Sequence, residues 1–351
     1  MHRGGYKLVF VIKKSHLLIC IGIFAVLGIA YACKTHADPV AMHTMTAGSY
    51  IKWVDFDITN PAMERALQYD ISSFGTTPKI NWLDILGYLG AKYGGDFSKY
   101  KAKDMDNFVS ELRKGKTVED LTEKMSSFGY YREAYGAVLE GFVGEFQIEV
   151  PGKENPDEKV LETRYGLKVF SPIAKGFYFS HSDDFGNSRS YGFKRKHLGN
   201  DLVSSTGTPV IAVESGIVEA LGWNQYGGWR IGIRSFDKRR YYYYAHLRKN
   251  YPYHKDLYAG KTVKAGDVIG YVGRSGYSSS ENVNNIQTPH LHFGMQIIFD
   301  ESQKDGNNEI WINVYEIVKL LQKNKSAVVK DENTKEYTRV YDITIFPSIN
   351  D

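Results

Sequence analysis

The chain has 351 residues, enough for about two domains with sizeable cores. Charged residues at 24% and hydrophobic residues at 42% are ordinary globular values and exclude a disordered chain. A formal charge of +4 is too small to argue for a nucleic-acid partner, and the two cysteines, Cys20 and Cys33, precede the body of the chain, excluding a disulfide framework or a cysteine-based zinc cluster.

Residues 1–39 read as a cytoplasmic tip followed by a membrane anchor or signal segment. The uncharged apolar run 17–33 has 17 residues, the lower bound of the ~17–25 needed to span a bilayer core. Arg3, Lys7, Lys13 and Lys14 precede it and only Lys34 follows closely, so the positive-inside bias leaves the N-terminus in the cytoplasm. Ala30-Tyr31-Ala32 also fits a signal-cleavage site. Cys33 stands where a lipid-modified cysteine would, although Ala30 departs from the usual Leu. All three routes export the rest of the chain. An exported part without cysteine relies on packing alone, which fits a Gram-positive bacterium.

Residues 50–150 read as a helical domain. Asn60-Pro61 opens a helix over 62–71. A second covers 80–93 and stops at Gly94-Gly95. A third runs over 103–114 to Gly115. Thr117 to Asp120 resembles a capping box ahead of 121–128, and 130–146 completes the set. No cluster of polar residues here points to chemistry, so the role of this part stays open. Residues 151–166 are charged and Pro-containing with few apolar positions, and read as a linker.

From 167 to 322 the texture changes to short β-branched runs punctuated by glycine. Residues 210–213, 217–221, 229–235, 240–247, 268–272 and 291–299 are strand-like, which predicts an antiparallel all-β domain. Residues 311–321 read as a closing helix, and 323–351 as a polar tail with one late strand over 340–346. The 26 tyrosines suit either strand interiors or a wet, polar binding surface.

Six of the ten histidines fall in this β region: His181, His197, His246, His254, His290 and His292. Alternation along a strand puts His290 and His292 on one face and Leu291 on the other. His197 and Asp201 add an imidazole and a carboxylate four residues apart, a donor pair suited to zinc. Tyr242, Tyr244 and His246 share a face by the same alternation. Each signal alone is weak; their order is not. H-x3-D, Gly207-Thr208-Pro209, Tyr244-Ala245-His246-Leu247, Gly266-Asp267 and His290-Leu291-His292-Phe293 follow one another across glycine turns.

This series resembles the lysostaphin-type zinc endopeptidases, the Gly-Gly endopeptidases that cut peptidoglycan peptides, over roughly residues 168–320. The resemblance implies one Zn²⁺ per chain on His197, Asp201 and His292, leaving an open position for water. It gives His290 and His246 the proton-transfer and transition-state-stabilising roles. His290, next to a ligand on its strand, is our expected general base, with His246 bonded to the water or the developing oxyanion; the two roles are interchangeable at this level. Two histidines and a carboxylate also describe a non-haem iron site, a reading without the supporting glycine pattern. The implied function is a zinc metalloendopeptidase acting on peptidoglycan stem or cross-bridge peptides. The alternative is a non-catalytic peptidoglycan-binding or structural relative.

Two departures stand out. A longer polar loop, 277–288, precedes His290 and is expected to border the cleft. Gly294 stands where an acidic residue often follows the H-x-H motif, which removes a hydrogen-bonding partner behind the ligands. Residues 177–196 are a candidate cleft wall, and His181 and His254 read as structural or rim residues.

Overall fold

The computed structural model describes residues 50–306 and 308–345. The apolar run and its basic flank lie outside them. Among the described residues no helix is long and apolar enough to cross a membrane.

The N-terminal region begins with helices α1 (Asn60–Ser72), α2 (Trp82–Tyr93), α3 (Ala102–Arg113), α4 (Val118–Thr122) and α5 (Phe128–Leu139). Asn81 caps α2 by accepting from the Leu83 N–H at 2.8 Å, and Gly94, at φ 64°, ends it. The Thr117/Asp120 capping box forms in both directions, at 3.1 and 2.8 Å. It starts α4 at Val118, three residues before the expected helix.

The fifth helix is shorter than expected. After Leu139 the chain makes one 3-10 turn and enters strand β1 (Val143–Pro151), which pairs along its whole length with β2 (Lys159–Leu167). Residues 151–166, read as a linker, are therefore the loop and nearly all of the second strand of a hairpin. No alternating apolar face marks the second strand in the sequence because it buries little: Leu161 is 59% exposed. The region before the main sheet is thus mixed α/β.

The main sheet is antiparallel. The strands that follow, in chain order, are β3 (Ser188–Arg189), β4 (Arg195–Lys196), β5 (Asn200–Val203), β6 (Pro209–Ile211), β7 (Gly216–Asn224), β8 (Gly228–Ser235), β9 (Arg240–Ala245), β10 (Thr262–Val263), β11 (Val268–Tyr271), β12 (His290–Ile297) and β13 (Ile310–Ile312). Seven of these form one sheet in the order β10-β7-β8-β9-β12-β13, with β5 pairing the first half of β12; β6 pairs β11, and β3 pairs β4. Helix α6 (Tyr315–Leu321) follows, so the expected helix over 311–321 begins late: Trp311 is instead paired with Gln296 on the sheet. The short strands β14 (Val328–Lys330) and β15 (Tyr337–Arg339) form a hairpin. Strand β16 (Ile343–Ile345), inside the expected late strand, pairs β1.

One hydrophobic cluster joins the helices to the sheet. Trp82, Leu86, Tyr135 and Phe142 share it with Ile231, Tyr242, Tyr244, Leu291, Phe293, Met295 and Ile317. Alternation along β12 sends Leu291, Phe293, Met295 and Ile297 into this core, each fully buried. Each such side chain contributes roughly 1.5–3 kcal/mol through burial. The alternate residues, His290, His292, Gly294 and Gln296, are left for the other face. That face carries the cleft.

Candidate metal centre

Asp201 and His292 are directly opposite each other in the β5–β12 register. Cross-strand partners hold their Cβ atoms about 4.5–5.5 Å apart, close enough for both side chains to reach one atom. His197 precedes β5 and returns over the same spot through Leu198-Gly199. A Cβ on Gly199 would lie 2.9 Å from the His292 ring and 2.6 Å from the Phe293 carbonyl. Glycine here is what lets the two ligand segments close.

The three donor atoms converge. His197 Nε2 lies 2.8 Å from His292 Nδ1 and 3.0 Å from Asp201 Oδ1, and His292 Nδ1 lies 3.2 Å from Asp201 Oδ1. These three residues are the metal-binding cluster among the described residues. A tetrahedral ion with bonds near 2.0–2.1 Å needs donor separations of about 3.3 Å, close to those seen. The chemistry of the set also fits. His197 Nδ1 is 3.0 Å from the Asp184 carbonyl, and a proton there leaves Nε2 as a lone pair facing the centre. Two nitrogens and a carboxylate oxygen packed this tightly call for a cation between them.

The electrostatics agree. Burial works against a charged His197, but hydrogen bonds to Asp184 and Asp201 outweigh it and push its pKa up to about 9. Burial would raise Asp201, yet hydrogen bonds to His197 and His292 and the nearby His290 hold it far below the usual carboxylate range. A pocket that grips a proton so firmly presents the same attraction to a divalent ion, which competes for the same lone pairs.

His290 and His246 complete the group. Strand alternation places His290 beside His292, its Nε2 3.6 Å from Asp201 Oδ1. His246 does not follow the alternation expected of it. The strand ends at Ala245, and His246 has φ 61°, which turns it off the Tyr242/Tyr244 face and into the cleft. Its ring then lies 4.8 Å from that of His290. His246 Nδ1 is 2.9 Å from the Ser275 carbonyl and His290 Nδ1 is 2.8 Å from the Thr288 carbonyl. With protons on both Nδ1 atoms, each ring presents Nε2 as an acceptor. Burial takes His246 well below its ordinary pKa, helped by the charges of His290 and His292.

Two contributors were missed in the sequence. Asp184 backs His197, and Arg189 donates 3.0 Å hydrogen bonds to both Asp184 and Asp201. They sit within the expected cleft wall, but no fixed spacing sets them apart from other charged loop residues. Gly294 has a steric reason: an added Cβ would meet the Leu198 carbonyl at 2.8 Å and the Trp311 ring at 2.9 Å. The polar loop does border the cleft through Tyr277, stacked on Tyr191 at 5.0 Å. Asn282 fastens it by accepting from Trp229 Nε1 at 2.9 Å. His181 lies tilted against the Tyr315 ring at 4.8 Å, and His254 lies near Asp256 and Glu336; neither belongs to the cluster. The tyrosines divide: Tyr242 and Tyr244 fill the core while Tyr241 and Tyr243 line the cleft.

Comparison with known proteins agrees with this geometry. Residues 195–307 match Peptidase family M23. The L-Ala–D-Glu endopeptidase of Bacillus subtilis (strain 168) is 41% identical over 117 residues, 33% of this chain and 34% of that protein. Lysostaphin of Staphylococcus staphylolyticus is 39% identical over 98 residues, 28% of this chain and 18% of that protein. The chain therefore spans about a third of the first relative and under a fifth of the second. A crystal structure of a putative glycyl-glycine endopeptidase lytM from Ruminococcus gnavus covers 79% of this chain and 92% of its own, with 22% identity and a TM-score of 0.48. The match over residues 195–307, about a third of the chain, holds all five polar side chains of the centre and gives this part of the chain a family-level likeness to Peptidase family M23.

Proposed function

We infer that the protein is a zinc-dependent endopeptidase hydrolysing peptide bonds in peptidoglycan stem or cross-bridge peptides. The observation that carries this is the convergence of His197, Asp201 and His292 on one point, with the Nε2 acceptors of His290 and His246 beside it. The motif resemblance and the named L-Ala–D-Glu bond of the bacillar relative support wall peptides as the substrate class.

Zinc held by His197, Asp201 and His292 would supply Lewis acidity and a water acidified toward neutral pH. His246, buried and neutral, accepts a hydrogen bond from the attacking water and orients it. Stabilising an oxyanion would require a proton on its Nε2, which burial opposes. His290 is less enclosed, and a proton taken up at its Nε2 sits 3.6 Å from the Asp201 carboxylate. His290 is therefore the general base, later returning the proton to the leaving amine. Asp184 and Arg189 hold His197 and Asp201 in place.

Residues 167–322 act as the catalytic unit on the outer side of the membrane, and 1–39 anchor or export it, in a Gram-positive cell. The apolar run and the lack of cysteine after residue 33 support that reading. The full chain should bind about one zinc and release new amino groups from cell-wall sacculi. Zinc-loaded protein that leaves sacculi and wall peptides intact overturns the assignment.

A further inference from the structure

We propose that Arg230 makes the arm of the cleft beyond the three ligands a carboxylate-binding subsite, selecting peptides with an acidic residue near the cleaved bond. This rests on the endopeptidase reading and names the substrate class within it.

The sheet register sets the position. Ala245 is opposite His292, and Tyr244 is opposite Ile231, so Arg230 follows in the row of Ala245 on the neighbouring strand. Strands lie about 4.8 Å apart, which puts the Arg230 backbone about 10 Å from that of His292. An extended peptide covers this in about three residues at ~3.3 Å each. Arg230 lines the same cleft of about 300 Å³ as the ligands, alongside Tyr241 and Tyr243. Its charge acts on both hydroxyls: burial is what raises Tyr241, to about 12, and Tyr243, and Arg230 pulls each back.

What sets Arg230 apart is its lack of a partner. The Nε is buried and without a hydrogen-bond partner, and the side chain forms no ion pair among the described residues. Lys196, which also lines the cleft, is exposed to solvent, and the cations around it are engaged. Lys304 pairs with Glu219 and Arg234 with Glu301 at 2.6 Å. Arg189 binds Asp184 and Asp201, and Arg195 donates to the Tyr191 carbonyl and covers the Tyr226 ring. A buried guanidinium donor left unmatched is costly, and Arg cannot relieve the cost by losing its proton. A carboxylate meets it with paired charge-assisted hydrogen bonds. A glycine-only peptide offers no such group.

The test uses the zinc-loaded full chain and synthetic peptides carrying Glu or its isostere Gln at each of three positions on either side of the cleaved bond. At one position the wild type should prefer Glu by about 10- to 100-fold in kcat/KM, chiefly through KM. Arg230→Gln should abolish the preference while zinc content and cleavage of the Gln peptide stay within about threefold. Arg230→Lys, which keeps the charge without the paired donors, should retain part of it. Equal cleavage of Glu and Gln peptides by the wild type at every position overturns the proposal without any variant, as does a preference that survives Arg230→Gln. Failure to cleave any peptide or sacculus overturns the endopeptidase reading itself.

Discussion

Arg240 and Arg230 stand on neighbouring strands of one sheet, on opposite faces, and differ in how the fold treats their charge. Arg240, on the core side, is almost wholly buried and fully engaged. It bonds Glu214 at 2.8 and 3.1 Å, Asp237 at 2.6 Å, and the Ala137 carbonyl of α5 at 2.9 Å. Tyr242 donates to the same Glu214 at 2.7 Å. That network fastens the helical region to the back of the sheet. Arg230, on the cleft side, has a buried Nε with no hydrogen-bond partner among the described residues. A buried charge whose partners all come from the chain serves the structure, while one left open in a cleft points to a ligand.

The same contrast runs along β12, where alternate residues face the metal-binding cleft and the core, and mutations can separate them. His197→Ala and Asp201→Ala should have the largest effect, removing zinc and at least about 10³-fold of activity together; metal analysis alongside a sacculus assay checks it. Phe293→Ala and His290→Ala should then pull in opposite directions. The first should cost about 3–5 kcal/mol in urea unfolding because it empties the core. The second should keep the stability and the zinc but lower kcat by about 10²–10⁴. Equal effects of the two on stability would erase the distinction between the faces.

Arg240→Met leaves Glu214 buried and unpaired, and should destabilise by about 3–5 kcal/mol with zinc affinity unchanged. Asp184→Asn should act on the other side, with zinc affinity down about 10–100-fold in a chelator competition. The last effect concerns pH. In the metal-free protein His197 has a folded pKa of about 9, above its unfolded value, so its stabilisation is complete below about pH 6.5. It should be lost as pH rises through about 9, by at most about 1.4 kcal/mol per unit. Zinc-loaded protein should lose this dependence, because the ion replaces the proton. Unfolding midpoints with and without a chelator from pH 6 to pH 10 check both.

The sequence carried the strand pattern of the main sheet and the ligand set, because both are local. H-x-H fixes two side chains on one face through the two-residue repeat of a strand, and His197 with Asp201 is bound by a four-residue turn. The hairpin of β1 and β2 was not legible, since β2 is mostly exposed and needs no apolar alternation. Nor was the inward turn of His246, where one left-handed residue reverses the face that alternation assigns.

What the amino-acid order determined by itself was therefore the set of elements and the pairs of donors that short-range geometry ties together. Only the tertiary structure decided which charges are matched: that Asp184 and Arg189 stand behind the ligands, that Arg240 meets Glu214, and that Arg230 has no ion-pair partner among the described residues. The physical reason is that matching a buried charge depends on strand register and loop closure over long stretches of chain, and neither is written in the spacing of neighbouring residues.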